Sequence, residues 1–520
     1  MRLTSAGRQR ARVLGTKFGL SLLAGVLTMA VASSAATATG HVEKPRTVVT
    51  TDMEQDDYAS LIRYLLYTNE LDTEGIIYTS GRFHWAGDGK GTPFFLPGRE
   101  YTTPQTSWRW TGTRTIQDLA LKAYADVFRN LKTHDRAYPT PAQLLSKVKI
   151  GNIEFENSMD RDTAGSDLIK ELLLDDDRRP LYLQAWGGTN TIARALKSIE
   201  DQYADNPRWA RLKEKVSRKA VILASGFQDD TYAQYIAPTW PLIRVENLQA
   251  GYGTWGYNCN FGGRGNVRGL PADRQYFQGA WIKANIQIGP LGSLYRSWLD
   301  GQSMPGDPLD VFGDPVKAQT GWCPPLSPYD FLSEGDNVAF LPLLDTGTQA
   351  PENPALGGWG GRSRQVTTLP DLWTMVPTEK DATGADINQY TSLRWAGAGQ
   401  NDFAARMQWT LSPSYRAANH EPQVGVLTRD PIRVVAGRTL KLRGFAVDPD
   451  GDRVSFQWWQ YGEEGTYPGN VTIASPERAW TTVTVPADAQ PGQTISLMLQ
   501  GTDDGNFPLT RYTRVILQVV

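Results

Sequence analysis

Short apolar runs alternate with stretches of helical spacing through the first half of the chain. Thr47-Val48-Val49 reads as a buried strand, and across 58–69 the residues Tyr58, Ile62, Leu65 and Leu66 share one helical face. Residues 74–80 read as a second strand. A helix is expected over 115–131, with Ile116, Leu119, Ala120, Ala123 and Val127 on one side, and another over 166–174. The apolar run 180–186 is the next strand and is followed by Ile192, Ala195, Leu196 and Ile199 at helical spacing; 219–225 is a fourth strand. Strands alternating with helices predict an α/β domain with a doubly wound, mostly parallel sheet and right-handed crossovers.

The pattern changes near Ser412. Asn419-His420-Glu421-Pro422 breaks the periodicity, and short β-rich runs follow at 439–447, 454–461, 480–485, 494–501 and 510–520. About a hundred residues of this kind suit an all-β, immunoglobulin-like sandwich, with Trp458 or Trp459 as its core anchor. The expected organisation is an α/β domain over 44–410, a linker over 411–422 and the sandwich over 423–520. Asp448-Pro449-Asp450-Gly451-Asp452 reads as a tight turn that can also hold calcium. Residues 250–330 are glycine-rich, bear tryptophan and show little periodicity.

Ahead of the first strand, residues 1–38 read as an export signal: Arg2, Arg8, Arg10, Arg12 and Lys17, then an apolar stretch, then Ala36-Thr37-Ala38 as a cleavage site. The protein is therefore expected to be secreted or periplasmic, and no other stretch is long and apolar enough to span a membrane. The signal holds five basic and no acidic side chains, so its removal moves the net charge from −2 to −7, which disfavours a nucleic-acid partner. The chain has only two cysteines, Cys259 and Cys323, and in an oxidising compartment they can pair. Tryptophans in loop-like sequence (Trp85, Trp108, Trp110, Trp255, Trp322, Trp359) suit the apolar faces of sugars, although core packing is the commoner role of any one of them.

Chemistry concentrates where strands hand over to helices. Thr50-Thr51-Asp52-Met53-Glu54-Gln55-Asp56-Asp57 places four carboxylates in the first such turn, and no basic residue follows before Arg63. Hard carboxylate oxygens packed so closely point to Ca²⁺ or Mg²⁺, at the carboxyl edge where open α/β sheets bind ligands. The bland alternative is a helix N-terminus that favours negative charge. The second strand ends in Gly81-Arg82-Phe83-His84-Trp85. The third ends in Gly187-Gly188-Thr189-Asn190, where Thr189 or Asn190 can also cap a helix. The fourth ends in Gly226-Phe227-Gln228-Asp229-Asp230.

The acidic turn resembles that of the nucleoside hydrolases, whose first strand ends in D-x-D-x-x-x-D-D; here Thr50 replaces the first Asp. The resemblance implies that Asp52, Asp57, the Thr189 carbonyl and Asp336 bind Ca²⁺, with Asp52 also the base that deprotonates water. It also implies that Asp56 binds a sugar hydroxyl, aided by Asn190, Asp229 or Asp230. Arg82 stands where that family carries a sugar-binding Asn. The usual leaving-group His beside Asp336 is missing, which leaves His84 and Glu334 as acid candidates. As an ordered set, TTDMEQDD, AGSDLIKELL, WGGTNTIARAL, Phe227-Gln228-Asp229-Asp230, GPLG (289–292), SEGD, GGWGGR (357–362) and QNDFAARM (400–407) resemble the bacterial cellulose-binding proteins that join a nucleoside-hydrolase-like domain to an immunoglobulin-like one. This implies a calcium-dependent hydrolase of N-glycosidic or related glycosyl bonds, acting on a carbohydrate or nucleoside-like molecule, cellulose included. The alternative is a carbohydrate-binding protein that keeps the metal site without turnover.

Overall fold

The computed structural model describes residues 43–248, 274–277, 279–296, 304, 306–307, 309–310, 334–380, 384–388, 390–428 and 431–520. The expected export signal, the Cys259–Cys323 pair, Trp255 and Trp322 lie outside the described residues. The described residues from Lys44 onward form one compact unit.

Its first part is an eight-stranded sheet. Strand β1 (Arg46–Thr51) leads into helix α1 (Gln55–Leu65), β2 (Asp72–Tyr78), α2 (Leu121–His134), α3 (Pro141–Lys147) and β3 (Val148–Ile150). Then come α4 (Ala164–Leu174), β4 (Leu181–Ala185), α5 (Asn190–Tyr203), α6 (Trp209–Lys219), β5 (Ala220–Ala224) and β6 (Arg244–Asn247), and the edge is made by β7 (Ser363–Val366) and β8 (Leu369–Met375). The order is β3-β2-β1-β4-β5-β6-β8-β7, parallel throughout except for the β7–β8 hairpin. Strand residues feed two cores in alternation. Val49, Ile76 and Tyr78 join α1 and α2 on one face, while Val48, Ile77, Leu181 and Leu183 join α4 and α5 on the other. The sheet is doubly wound, as expected. The chain winds one way from β1 to β3 and the other way from β4 onward, so the topological switch point falls between β1 and β4.

Helix α1 starts at Gln55, three residues before its apolar face begins, so Asp56 and Asp57 occupy its first turn. The expected helix over 115–131 opens with a π-helical turn at Ile116–Ala120 before α2.

After a small hairpin of β9 (Thr378–Lys380) and β10 (Asp386–Asn388) and the long helix Ala396–Trp409, the chain builds the sandwich. One sheet has the order β11-β13-β16-β15 (Gln423–Val426, Thr439–Val447, Trp480–Thr484, Thr472–Ile473). The other has β12-β18-β17-β14 (Ile432–Val434, Thr510–Val519, Thr494–Thr502, Ser455–Gln460). Leu442 and Val483 of the first meet Trp458, Leu497, Leu499 and Val515 of the second. Trp458 is the core anchor, 1% exposed, with its indole N–H on the Arg478 carbonyl at 3.0 Å. Trp459 points the other way and packs on Trp395.

The sandwich is held to the α/β part by buried polar contacts. Asp402, on the long helix, accepts from Arg511 of β18 at 2.8 Å, from Arg406 at 2.9 Å and from the Tyr67 hydroxyl at 2.8 Å. Within the stretch 411–422, Asn419 and His420 are buried and bonded rather than solvated. No helix among the described residues is long and apolar enough to cross a membrane.

Candidate functional site

The turn from β1 to α1 lies at the switch point. Met53 adopts φ 56°, a left-handed conformation uncommon for a side chain of this size, and its N–H donates to the Thr51 hydroxyl at 3.0 Å. The Thr51 hydroxyl in turn donates to Asp57 Oδ1, so turn and helix start are locked together. Asp52 is fully buried at the bottom. A Cβ on Gly81, at the end of β2, would lie 2.2 Å from Asp52 Oδ2, and one on Gly187, after β4, 2.8 Å from its Cγ. Only glycine at both positions leaves room for that carboxylate.

Asp336 enters from the other end of the chain. Its N–H donates to Ser60 Oγ of α1 at 3.1 Å, and Ser225, just past β5, donates to the Gly335 carbonyl at 3.2 Å. Five carboxyls therefore gather: Asp52, Glu54, Asp56, Asp57 and Asp336, all buried. Glu54, Asp56 and Asp57 each present an oxygen within 4.8 Å of the others. Burial, followed by mutual repulsion, pushes Asp52 and Asp336 well above the usual carboxylate range. Asp56, through burial and then the charge of Asp57, and Asp57, through burial and then that of Glu54, are pushed up to about 8.

These residues fit a hard cation. Among the described residues, no donor reaches either oxygen of Asp52, Asp57 Oδ2, Asp56 Oδ1 or Asp336 Oδ2. Buried carboxylate oxygens left without partners are costly unless a positive charge joins them. Arg109, from the segment after β2, lies against Glu54 at 3.5 Å and is bonded to Asp307. The oxygen-only donor set is that of Ca²⁺ or Mg²⁺.

The remaining expected residues divide. Arg82 is half-buried near the same edge, with its Nε unpartnered among the described residues. Asp230 is the accessible carboxylate, 44% exposed at its side chain and 3.8 Å from Arg99. Others are engaged in hydrogen bonds of the surrounding fold. Asp229 accepts four hydrogen bonds, from the Thr189 hydroxyl, the Asn190 N–H, and the Thr231 N–H and hydroxyl, so it anchors the β4–α5 turn. Asn190 is fully buried, donates to Ser80 Oγ and to the Asn152 and Ser158 carbonyls, and accepts from Thr79. The Thr189 carbonyl accepts the Ala193 N–H of α5 at 2.8 Å. His84 is fully buried and burial pushes it down to about 4, so it is neutral; it sits 3.4 Å from Asp307 and 3.9 Å from Glu54. Glu334 is tied to Arg63, at 2.5 and 3.0 Å.

Three polar residues of the site had no role on sequence grounds. Glu54 is one, a carboxylate of the acidic turn with an oxygen in the buried cluster. The Gln55 amide is buried with neither end bonded among the described residues, and Gln228 donates to the Trp186 carbonyl while its Oε1 is left open. A glutamine amide carries no metal signal in sequence, so only the fold reveals Gln55 and Gln228. Trp85 and Trp359 belong to the packing, at 0% and 1% exposure.

The profile described as "Cellulose-binding Sde182, nucleoside hydrolase-like domain" matches residues 46–363, more than half of the chain. The chain belongs to this family. A second profile, "Cellulose-binding protein Sde0182, C-terminal domain", matches residues 439–519. Among solved structures, a nucleoside hydrolase-related hypothetical protein from Saccharophagus degradans, described as associated with carbohydrate metabolism, is 26% identical with a TM-score of 0.66. That similarity covers 92% of this chain and 100% of the other. The effector protein XOO4466 is 11% identical over 71% of this chain and 95% of its own; its TM-score of 0.35 carries no argument. No curated protein matches.

Proposed function

We propose that this is a secreted, calcium-dependent hydrolase of glycosyl bonds, N-glycosidic or related, that acts on carbohydrate. One observation carries the reading: Asp52, cradled by Gly81 and Gly187, keeps both oxygens free of donors among the described residues, beside Asp57 and Asp336. Asp52, Asp57 and Asp336 would hold the ion. When bound, a divalent cation offsets their charge and makes water more acidic. Asp52 is fixed in one orientation and takes the proton from the attacking water. Asp56, at the rim of the cluster, accepts from a sugar hydroxyl, while Arg82 and Gln228 offer one donor and one acceptor to the rest of the ring. The names of the matching profiles support a carbohydrate, cellulose in particular, as the molecule bound.

One observation favours a second reading, a carbohydrate-binding protein that retains the metal site. His84 is buried and neutral and Glu334 is paired with Arg63, so neither supplies a leaving-group proton. Incubating the exported chain with calcium and a panel of nucleosides and cello-oligosaccharides separates the two. The hydrolase reading requires release of base or sugar that Asp52→Asn abolishes. Binding of the same sugars without release makes the protein a binder, and neither binding nor release removes both readings.

A further inference from the structure

A second group of oxygens lies in the sandwich, in the loops that join β13 to β14 and β17 to β18. Asp448, Asp450 and Asp452 each place a carboxylate oxygen within 4.8 Å of the others. Their loop is closed from within: Asp448 Oδ1 accepts the N–H groups of Asp450 and Asp452 at 2.9 and 3.0 Å. That closure alone is an ordinary turn.

An independent observation comes from outside this loop. Asp503, at the end of β17, is 4% exposed. Its Oδ1 accepts from Gly505 N–H, Leu509 N–H and Asn419 Nδ2 at 3.0 to 3.1 Å, while its Oδ2 has no partner among the described residues. Asp503 lies close enough to Asp448 for the two charges to repel. Asn419, 7% exposed, donates to Asp503 and to the Phe507 carbonyl, which fixes its amide; its Oδ1 then has no partner either. A Cβ on Gly505 would fall 2.4 Å from that oxygen, so the loop is shaped around the Asn419 amide. Asp448 Oδ2 is the third buried oxygen in this state. Three segments distant in sequence thus contribute unsatisfied oxygens and, among the described residues, no unsatisfied donor, an arrangement that is costly when empty and that a cation would stabilise.

We propose that Asp448, Asp452, Asp503 and Asn419, with Asp450 at the rim, form a second site for a hard divalent cation of the calcium class. Asp450 is shared, since it also accepts the His420 backbone N–H at 2.7 Å and faces the His420 ring. Asn419 and His420 belong to the strap from the long helix Ala396–Trp409 into the sandwich, so the ion fastens that strap to two sandwich loops. The proposal does not rest on the reading of the first site. Extracellular modules bind calcium with Kd on the order of 10⁻⁴–10⁻³ M, and that range is expected here.

The test uses the full exported chain stripped with EDTA and titrated calorimetrically with calcium, with thermal unfolding recorded at 0 and 10 mM calcium. Asp448→Asn with Asp503→Asn keeps every native acceptor, because Oδ1 of each side chain makes those bonds, and replaces only the two open oxygens. This double variant should lose one of two bound ions, or weaken it at least tenfold, and lose part of the calcium-dependent rise in Tm. Its Tm without calcium should equal or exceed that of the parent, since a charge repulsion is removed. Asp57→Asn should affect only the other ion. A double variant that binds and gains stability from calcium as the parent does overturns the proposal, as does one that is already destabilised without calcium. One ion lost through Asp57→Asn alone leaves the first site standing and removes this one.

Discussion

Arg63 and Glu334 form a fully buried ion pair across 271 residues of sequence, Nε to Oε1 at 2.5 Å and Nη2 to Oε2 at 3.0 Å. Tyr295 donates to the same carboxylate at 2.7 Å, and the guanidinium lies 3.8 Å over the Phe403 ring. The pair joins the last turn of α1 to the segment that delivers Asp336 two residues later, and so fixes the late carboxylate against the acidic turn.

Breaking this pair from either side leaves a buried charge. Arg63→Met and Glu334→Gln are each expected to destabilise the chain by about 3–5 kcal/mol in urea unfolding, and Arg63→Met/Glu334→Met by less than their sum. Calcium affinity should fall in Arg63→Met even though no ligand has changed. Unchanged affinity would mean that Asp336 is positioned by other contacts.

Gly81→Ala adds one methyl group against Asp52 Oδ2, where 2.2 Å is available. The outcome expected is a calcium Kd at least tenfold weaker, read by calorimetry, with a stability loss of about 1–3 kcal/mol for overpacking. An alanine variant that binds calcium like the parent would show that the Asp52 carboxylate has room to move.

Asp56 and Asp57, each raised to about 8 chiefly by burial, give the metal-stripped protein a defined pH response. The folded state holds protons that the unfolded chain, with carboxylates near 4, has released. Their contribution is thus fully present below about pH 4 and is lost as pH rises through about 8. Between pH 5 and 9, urea unfolding of the stripped protein should show stability falling by more than about 2 kcal/mol. Saturating calcium should flatten the profile, because the ion replaces the protons, and Asp57→Asn should flatten it without calcium. A flat profile in the stripped parent would contradict the clustering.

Much of this fold is written in local pattern. Val48 and Val49, Leu181 and Leu183, and the Ile192–Ile199 face announce their elements, and five of the sandwich strands fall within a residue or two of their apolar alternation. The short strands β3, β6 and β7 do not, because three or four residues with charged or polar members carry no period; the sheet is completed by pairing, not by propensity. At the site, the grouping of Asp52, Asp56 and Asp57 follows from adjacency, and Asp336 joins them through the fold. Asp229, Asn190 and Glu334 occupy the right loops yet turn into hydrogen-bond networks, and side-chain direction of that kind depends on partners up to 271 residues away.

The central claim, that Asp52, Asp57 and Asp336 hold a divalent cation at the switch point, is tested most directly by anomalous diffraction from crystals grown with calcium and soaked with manganese or terbium. The account predicts a peak bonded to oxygens of all three carboxylates, at about 2.3–2.6 Å in the calcium form. Well-ordered carboxylates at that position with no peak at saturating ion, or a peak that leaves out Asp52 and Asp57, would contradict it.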